Sequence, residues 1–173
     1  MVDKKVILKI TNLLGQTPIG PVGSHGPISL TVHESEAGVL LDTEEGRRLF
    51  RLILGQGTIE QGSIQLIDKF LRNADKDYEN SQDVIKQIGF GFRDLGLISN
   101  RTIFENVDLP ARYHEYYKKG DTSGSLAVKA LRDLGVNEAH WSKRPPHVNF
   151  NIRKRVLLAR AAVLDPKIFL LDE

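Results

Sequence analysis

The sequence predicts an α/β protein with an antiparallel β part near its N-terminus and a helical insertion before its last strand. Three observations support this fold class. Short β-branched segments bounded by Gly, Pro and Asn dominate the first half of the chain. From Asn106 to about Arg160, apolar residues recur at helical spacing. A final apolar segment, Lys167 to Asp172, follows Pro166, so strands and helices alternate as in a sheet covered by helices.

The composition bounds the class of protein. A chain of 173 residues predicts one domain, and 40% apolar with 27% charged residues is typical of a globular chain. The 24 basic and 22 acidic residues give a net charge of +2, too small to argue for nucleic acid by itself. The absence of cysteine excludes disulfides and thiolate metal sites. Because no signal peptide or bilayer-spanning apolar segment is present, we expect a cytoplasmic protein.

The first elements follow from β-branched and apolar segments. Val6–Ile10 and Ile28–Val32 predict two strands of an antiparallel region. The segment between them, residues 11–27 (TNLLGQTPIGPVGSHGP), is rich in Gly and Pro and predicts a loop. Ala37–Leu41 is entirely apolar or glycine, which predicts a central strand buried on both faces.

A helix is expected next, because Leu49, Leu52 and Ile53 fall at i, i+3 and i+4, and Gly55 is placed to end it. Two strands should follow, at Ile64–Ile67 and at Ile88–Phe92.

The helical region contains two amphipathic segments. One has an apolar stripe and ends at Gly135; the other covers about Ile152 to Val163, and Lys167–Asp172 then forms a last buried strand. The stripe consists of Leu126, Ala130, Leu131 and Leu134.

Three segments together resemble a known family. RKRVLLARAAVLDPKIFLLDE, residues 153–173, resembles the helix after the signature loop and the Walker B strand of the ATP-binding domain of ABC transporters. IGFGFRDLGLISNRTIFENVDLPARY, residues 88–113, is similar to the family's strand, Q-loop and partner-facing segment. Residues 28–42 (ISLTVHESEAGVLLD) and 49–66 (LFRLILGQGTIEQGSIQL) resemble the strands and helix around Walker A. The three matches occur in the family's order and cover nearly all of the chain.

The resemblance implies an architecture and partners. It implies a P-loop NTPase-like parallel sheet core within a single domain, residues 1–173, divided into a β-rich core at 1–105 and 161–173 and a helical subdomain at 106–160. It also implies a transmembrane transporter subunit as partner, contacted near Leu95 to Arg101, a homo- or heterodimer, and a place at the inner face of the membrane. The family continues with a D-loop, a strand and a switch His, so we expect either a fragment or a natural short form.

The Walker A position departs from the family's pattern. A phosphate loop needs glycines that aim backbone N–H groups at the phosphates, a Lys, and a Ser/Thr hydroxyl for Mg²⁺. Residues 42–48 (DTEEGRR) have one glycine and no Lys-Ser/Thr pair. Glu44 and Glu45 would place carboxylates beside a triphosphate, and like charges about 4 Å apart cost on the order of 4 kcal/mol at an effective dielectric constant near 20.

The candidate cofactor-binding residues are Gly46, Arg47 and Arg48. The two arginines can replace the lysine as phosphate forks. As residues at the start of a helix they can equally remain solvated. We therefore expect ATP and Mg²⁺ to bind weakly or not at all.

The signature motif is altered as well. It aligns with Val148–Ile152, where the family's glycines let backbone amides at a helix N-terminus approach a γ-phosphate. Phe150 places a bulky ring in that gap, and Asn151 is expected to cap the next helix.

The Q-loop position is Arg93, whose guanidinium can only donate hydrogen bonds and would repel a metal ion. The alternative is a surface ion pair of Arg93 with Asp94 or Glu105.

The Walker B position retains its acids. The resemblance makes Asp172 a partner of Mg²⁺ and Glu173 the catalytic base that orients water. Two acidic residues after a strand are by themselves only weak support for a nucleotide site. Without a phosphate loop, no nucleotide is held for them to act on.

Three functions remain open. The first is a weakly or non-hydrolysing regulatory or scaffolding component of a transport complex. The second is an active ATP hydrolase in which Arg47 or Arg48 replaces the lysine and residues beyond Glu173 complete the site. Nucleic-acid binding ranks lowest, because Trp141 and Phe150 alone interleave with the basic cluster of Lys143, Arg144, Arg153, Lys154 and Arg155.

The five histidines lack metal-ligand spacing, which indicates structural or surface roles. They are His25, His33, His114, His140 and His147.

Overall fold

A computed structural model describes residues 4–37, 43–67, 69–74, 84–91, 96–114 and 124–172. The chain divides into two compact units. The first extends to Lys86 and also includes Asp172, and the second extends from Gln87 to Leu171.

The first unit contains a five-stranded antiparallel sheet. Its order is β2-β1-β4-β5, and β3 pairs with β1 as well. This sheet confirms the antiparallel β part predicted from the sequence. The strands are β1 (Val6–Thr17), β2 (Gly20–Val22), β3 (Ile28–His33), β4 (Thr58–Leu66) and β5 (Lys69–Asn73).

The loop predicted for residues 11–27 is largely wrong, because β1 continues to Thr17 and β2 follows after a two-residue turn. The strand continues through an irregular ladder: its register shifts beyond Thr11, and Asn12 adopts a φ of 45°. Gly15 lies inside the ladder opposite Val22. A Cβ at Gly15 would lie 2.8 Å from the Leu52 side chain, so this glycine permits close approach of a helix and does not mark a turn.

Helix α1 (Thr43–Ile53) covers this unit as predicted. Leu49, Leu52 and Ile53 are buried, and Gly55, at a φ of 83°, follows the helix. Of the central strand predicted at Ala37–Leu41, all residues after Ala37 lie outside the described residues, so this strand stays a prediction.

The second unit combines a parallel strand pair with three helices. Strand β6 (Ile88–Gly91) pairs in parallel with β7 (Ile168–Leu171). The helices pack on one another around a shared apolar core, which includes Ile103, Val107, Leu131, Val156 and Ala159. They are α2 (Ile103–Tyr113), α3 (Ser125–Asp133) and α4 (Phe150–Ala162).

The amphipathic pattern of α3 is confirmed. Ala130 and Leu131 are buried, and Leu126 and Leu134 pack against the same core. Gly135 follows the helix with a φ of 64°, a conformation that glycine adopts without a Cβ penalty.

The prediction of a fully buried last strand is only half right. Leu170 is buried, whereas Phe169 is 46% exposed and Leu171 is 45% exposed. These two side chains lie opposite Gly89 and Gly91 of β6. Both glycines are buried, and a Cβ at Gly89 would lie 2.7 Å from the Phe169 ring and 2.8 Å from the Ala161 carbonyl oxygen, so Gly89 permits close packing at this position. None of the helices within the described ranges has the length and apolar character needed to cross a membrane.

Candidate functional site

The start of α1 carries the charged residues that the sequence places at Walker A. Glu44 and Glu45 lie in its first turn, where carboxylates interact favourably with the positive end of a helix dipole. Gly46 is buried inside this helical turn. The structure thus places Gly46, Arg47 and Arg48 on one helix, and each charged side chain there reaches a different protein partner.

Arg47 pairs with Asp172. Its Nε donates to Oδ1 of Asp172 at 3.2 Å and to Oδ2 at 3.1 Å. The Arg47 side chain is 35% exposed and that of Asp172 is 12% exposed. The structure therefore brings together two predicted site residues that are 125 positions apart in the sequence, both of which belong to the first unit.

Arg48 turns toward the hairpin between β2 and β3. Its Nη1 donates to the carbonyl oxygen of Pro21 at 3.1 Å, and its Nε donates to that of Glu44 at 3.2 Å. The side chain is 15% exposed. The alternative in which Arg48 stays solvated is therefore wrong, because two backbone carbonyls hold its guanidinium.

Glu45 also binds the hairpin. Its Oε1 accepts from the Gly23 backbone N–H at 2.5 Å, and its Oε2 accepts from the Ser24 hydroxyl at 3.2 Å. Backbone amides and hydroxyls are the groups that commonly bind phosphate oxygens, and here they bind a carboxylate of the same chain. No sequence pattern predicts this contact, because it joins a helix to a turn that is distant in the chain.

The segment at the signature position begins α4. Asn149, not Asn151, caps the helix: its side chain accepts from the Ile152 N–H at 2.9 Å. The prediction erred because the helix begins at Phe150, two residues before the expected Ile152. An Asn three residues before the receiving amide was the available signal. Phe150 is 50% exposed, with the guanidinium of Arg153 5.9 Å and the ammonium of Lys154 5.2 Å from its ring centroid.

The segment expected to face a partner is described from Gly96 onward, whereas Arg93, Asp94 and Leu95 lie outside the described residues. Asn106 of α2 is fully buried and holds this segment. Its Oδ1 accepts from the Ile98 N–H at 2.7 Å, and its Nδ2 donates to the Ile98 carbonyl at 3.1 Å.

Glu105 takes part in the N-terminal cap of α2. Its carboxylate accepts from the Thr102 backbone N–H at 2.7 Å, while the Thr102 hydroxyl accepts from the Glu105 N–H. These hydrogen bonds, led by the one from the Thr102 backbone, hold the pKa of Glu105 below its usual value. The alternative ion pair of Glu105 with Arg93 stays a prediction.

The basic cluster is partly engaged within the protein. Trp141 packs near Phe104, with ring centroids 6.3 Å apart, and its indole N–H donates to the Val136 carbonyl at 3.0 Å. Arg155 donates to the Gly135 carbonyl at 3.0 Å. The indole N–H of Trp141 and the guanidinium of Arg155 are thus engaged within the protein.

The positions of acids and histidines bear on metal binding. Throughout the described part of the chain, no three His, Asp or Glu residues are grouped so that they could hold a metal ion. His33 contacts Glu36 through Nδ1 at 2.8 Å. Glu173, the predicted catalytic base, lies outside the described residues, so its role stays a prediction.

Comparison with known proteins identifies the family. The sequence model of the ABC transporter family matches residues 48–173. The methionine import ATP-binding protein MetN of Clostridioides difficile is 28% identical over 148 residues, which cover 84% of this chain and 44% of that protein. The probable ribonucleotide transport ATP-binding protein mkl of Mycobacterium tuberculosis is 32% identical over 151 residues, 84% of this chain and 40% of that protein. The chain therefore spans less than half the length of these relatives.

Solved structures show the same fold. The dimeric ATP-binding cassette MJ0796, bound to ADP and Pi after hydrolysis, superposes with a TM-score of 0.75 at 20% identity, covering 96% of this chain and 77% of that one. CbiO1 of Clostridium perfringens, part of the transporter complex CbiONQ, gives a TM-score of 0.72 at 20% identity, covering 96% of this chain and 64% of that one. The α/β, P-loop NTPase-like fold predicted from the sequence is thereby confirmed, and the chain belongs to the ABC transporter ATP-binding family.

Proposed function

We propose that this chain is an ABC transporter ATP-binding component whose nucleotide site is degenerate, and that it has a regulatory or scaffolding role in a membrane transport complex. The observation that carries the proposal is the engagement of the charged residues at the start of α1. Arg47 is held by Asp172, Arg48 by the Pro21 carbonyl, and Glu45 by the turn at Gly23 and Ser24.

The binding of a triphosphate at α1 would carry two unfavourable free-energy terms. The triphosphate would have to separate Arg47 from Asp172 before the guanidinium could bind a phosphate. It would also approach Glu45, and two like charges about 4 Å apart repel by on the order of 4 kcal/mol at an effective dielectric constant near 20. This cost is comparable to the free energy of binding at a dissociation constant of about 1 mM, about 4 kcal/mol.

The residues present do not fit Mg²⁺ either. Mg²⁺ requires a near-octahedral set of oxygen ligands. Both carboxylate oxygens of Asp172 instead accept hydrogen bonds from Arg47, a permanent cation that repels a metal ion. In the proposed function, the binding of ATP and Mg²⁺ is therefore weak or absent.

The printed names of the relatives suggest the partners. MetN is an import ATP-binding protein, CbiO1 is part of a transporter complex, and the MJ0796 cassette is dimeric. By analogy, this chain assembles with a transmembrane subunit at the inner face of the membrane, through the region of Leu95 to Arg101, and forms a homo- or heterodimer. Asn106, which fixes Ile98 in that region, supports a preformed docking segment.

A second candidate function is an active ATP hydrolase. One observation favours it: Arg47 places a cation beside Asp172 at the end of β7, so a positive group lies near the Walker B acid. In this alternative Arg47 or Arg48 replaces the missing lysine, Glu173 acts as the base, and further residues complete the site.

Calorimetric titration with Mg-ATP separates the two functions. The proteins to compare are the wild type, the double variant Arg47→Ala/Arg48→Ala, and Arg51→Ala as a matched control. Arg51 lies on the same helix but donates to Gln56, away from the candidate site. The degenerate site predicts millimolar or no binding in all three. Micromolar binding that the double variant loses and Arg51→Ala retains would contradict the degenerate site and favour the hydrolase instead.

A further inference from the structure

The contact between Arg47 and Asp172 has the form of a cation bound by a carboxylate. The guanidinium Nε lies between the two oxygens, at 3.2 and 3.1 Å. The Asp172 side chain is only 12% exposed, and a carboxylate so far removed from water needs a nearby positive charge. Arg47 supplies that charge from α1.

We infer that the Arg47 guanidinium is a built-in counter-cation that takes the place of a divalent metal ion at Asp172. Asp172 then does not bind Mg²⁺ or Mn²⁺ while Arg47 is present, and it accepts a divalent cation once the guanidinium is removed. The inference deepens the proposed degenerate site and rests on it, because it gives the physical cause of the weak metal binding.

Two properties of arginine make the exclusion effective. Its guanidinium is always charged in proteins. It is also tethered, so it competes with free ions at a high local concentration. Since 35% of the Arg47 side chain is exposed, ions from solvent can reach the pair, and their exclusion would reflect competition rather than a closed surface.

The experiment measures Mn²⁺ binding without nucleotide by electron paramagnetic resonance, which counts free ions and needs no catalytic activity. The variants are Arg47→Gln, which keeps a polar side chain without charge, and Arg47→Gln/Asp172→Asn, with Arg51→Ala as the matched control. We expect no specific Mn²⁺ binding by the wild type or Arg51→Ala, a bound ion in Arg47→Gln, and loss of that ion in the double variant.

Thermal unfolding gives a second readout if Arg47→Gln is less stable. At about ten times the dissociation constant, Mn²⁺ should raise its Tm by about 3 °C or more, relative to a monovalent salt of equal ionic strength. The wild type should show no such difference.

The outcomes also separate the inference from the proposed function. Mn²⁺ bound by the wild type through Asp172, or no Mn²⁺ bound by Arg47→Gln, would overturn the inference. Tight binding of metal-free ATP by the wild type, with no Mn²⁺ at Asp172, would overturn the degenerate nucleotide site and leave the inference standing. Tight Mn-ATP binding that requires Asp172 would overturn both.

Discussion

Replacing Asn106 should destabilise the second unit, and Asn106→Asp should destabilise it more than Asn106→Ala. Asn106 is fully buried. Its amide oxygen accepts from the Ile98 N–H at 2.7 Å, and its amide nitrogen donates to the carbonyls of Ile98 at 3.1 Å, Thr102 at 2.8 Å and Arg101 at 3.3 Å. The carbonyls of Ile98 and Thr102 also accept a backbone N–H, from Arg101 and from Asn106 itself, and Arg101 is exposed. Removal of the side chain therefore affects the Ile98 N–H most.

The magnitudes follow from this arrangement. Asn106→Ala takes the acceptor from a buried N–H, at about 1–3 kcal/mol, and leaves a small cavity, so we expect a total loss of about 2–4 kcal/mol. Asn106→Asp keeps the acceptor but aims a second oxygen at the carbonyls of Ile98 and Thr102. A buried carboxylate facing three carbonyl acceptors, those of Ile98, Arg101 and Thr102, is worse than a cavity, so we expect a loss of about 4 kcal/mol or more.

Urea unfolding and amide hydrogen exchange measure these effects. Asn137→Ala is the matched control, because this exposed Asn caps a short 3₁₀ turn through one bond to the Ala139 N–H and should cost about 1 kcal/mol. Exchange at the Ile98 amide should accelerate in both Asn106 variants and not in the control. If Asn106→Asp were as stable as the wild type, or if Ile98 stayed protected in Asn106→Ala, the proposed anchoring of this segment would be refuted.

Three further changes test other parts of the structure. Gly15→Ala should cost about 1–3 kcal/mol in urea unfolding, because a Cβ there would lie 2.5 Å from the Thr58 carbonyl oxygen; unchanged stability would contradict the close approach. Leu49→Ala should cost about 2–5 kcal/mol, since this buried side chain fixes α1 on the first unit, and a loss of about 0.5 kcal/mol would contradict that packing. The hydrogen bond from the Thr102 backbone lowers the pKa of Glu105 from 4.5. The stabilisation of the folded protein by the Glu105 carboxylate is therefore present above that pH and lost as the pH falls through the folded-state pKa. The protection of the amides at the start of α2, relative to their intrinsic exchange rates, should therefore fall in acid, and Glu105→Gln should remove this pH dependence of the protection.

The sequence predicted the elements whose signal is local. The helix containing Ala130 and Leu131 was recognised because its apolar residues repeat at helical spacing and Gly135 follows it. The extension of β1 was missed because Gly15 and the bulge near Asn12 carry the composition of a loop. Their strand conformation depends on pairing with β2 and β4, which no local pattern encodes.

The residue types of the candidate site were predictable, but their contacts were not. The glutamates and arginines of residues 44–48 could be recognised as misplaced for a phosphate loop. The pairing of Arg47 with Asp172 joins residues far apart in the chain, and the pairing of Glu45 with Gly23 depends on how the β2–β3 turn lies against α1. Such contacts are set by tertiary geometry. The sequence alone therefore predicts glutamates that repel a phosphate and arginines that either bind a phosphate or stay solvated, and not these partners within the chain.

Two places in the first unit, the start of α1 and Asp172, attract charges of opposite sign. The positive end of a helix favours an anion, and the partly buried Asp172 favours a cation. Bound Mg-ATP could supply both an anion at the helix end and a cation at Asp172, but the fraction of the protein that has it bound depends on its concentration. Here Glu45 lies at the helix end and Arg47 lies at Asp172. Because both side chains are part of the same chain, they compensate these charges at any ligand concentration. Because these charges are already compensated, nucleotide should add little to the free energy of unfolding. The stability of the protein should therefore respond weakly to Mg-ATP, which agrees with the proposed regulatory or scaffolding role.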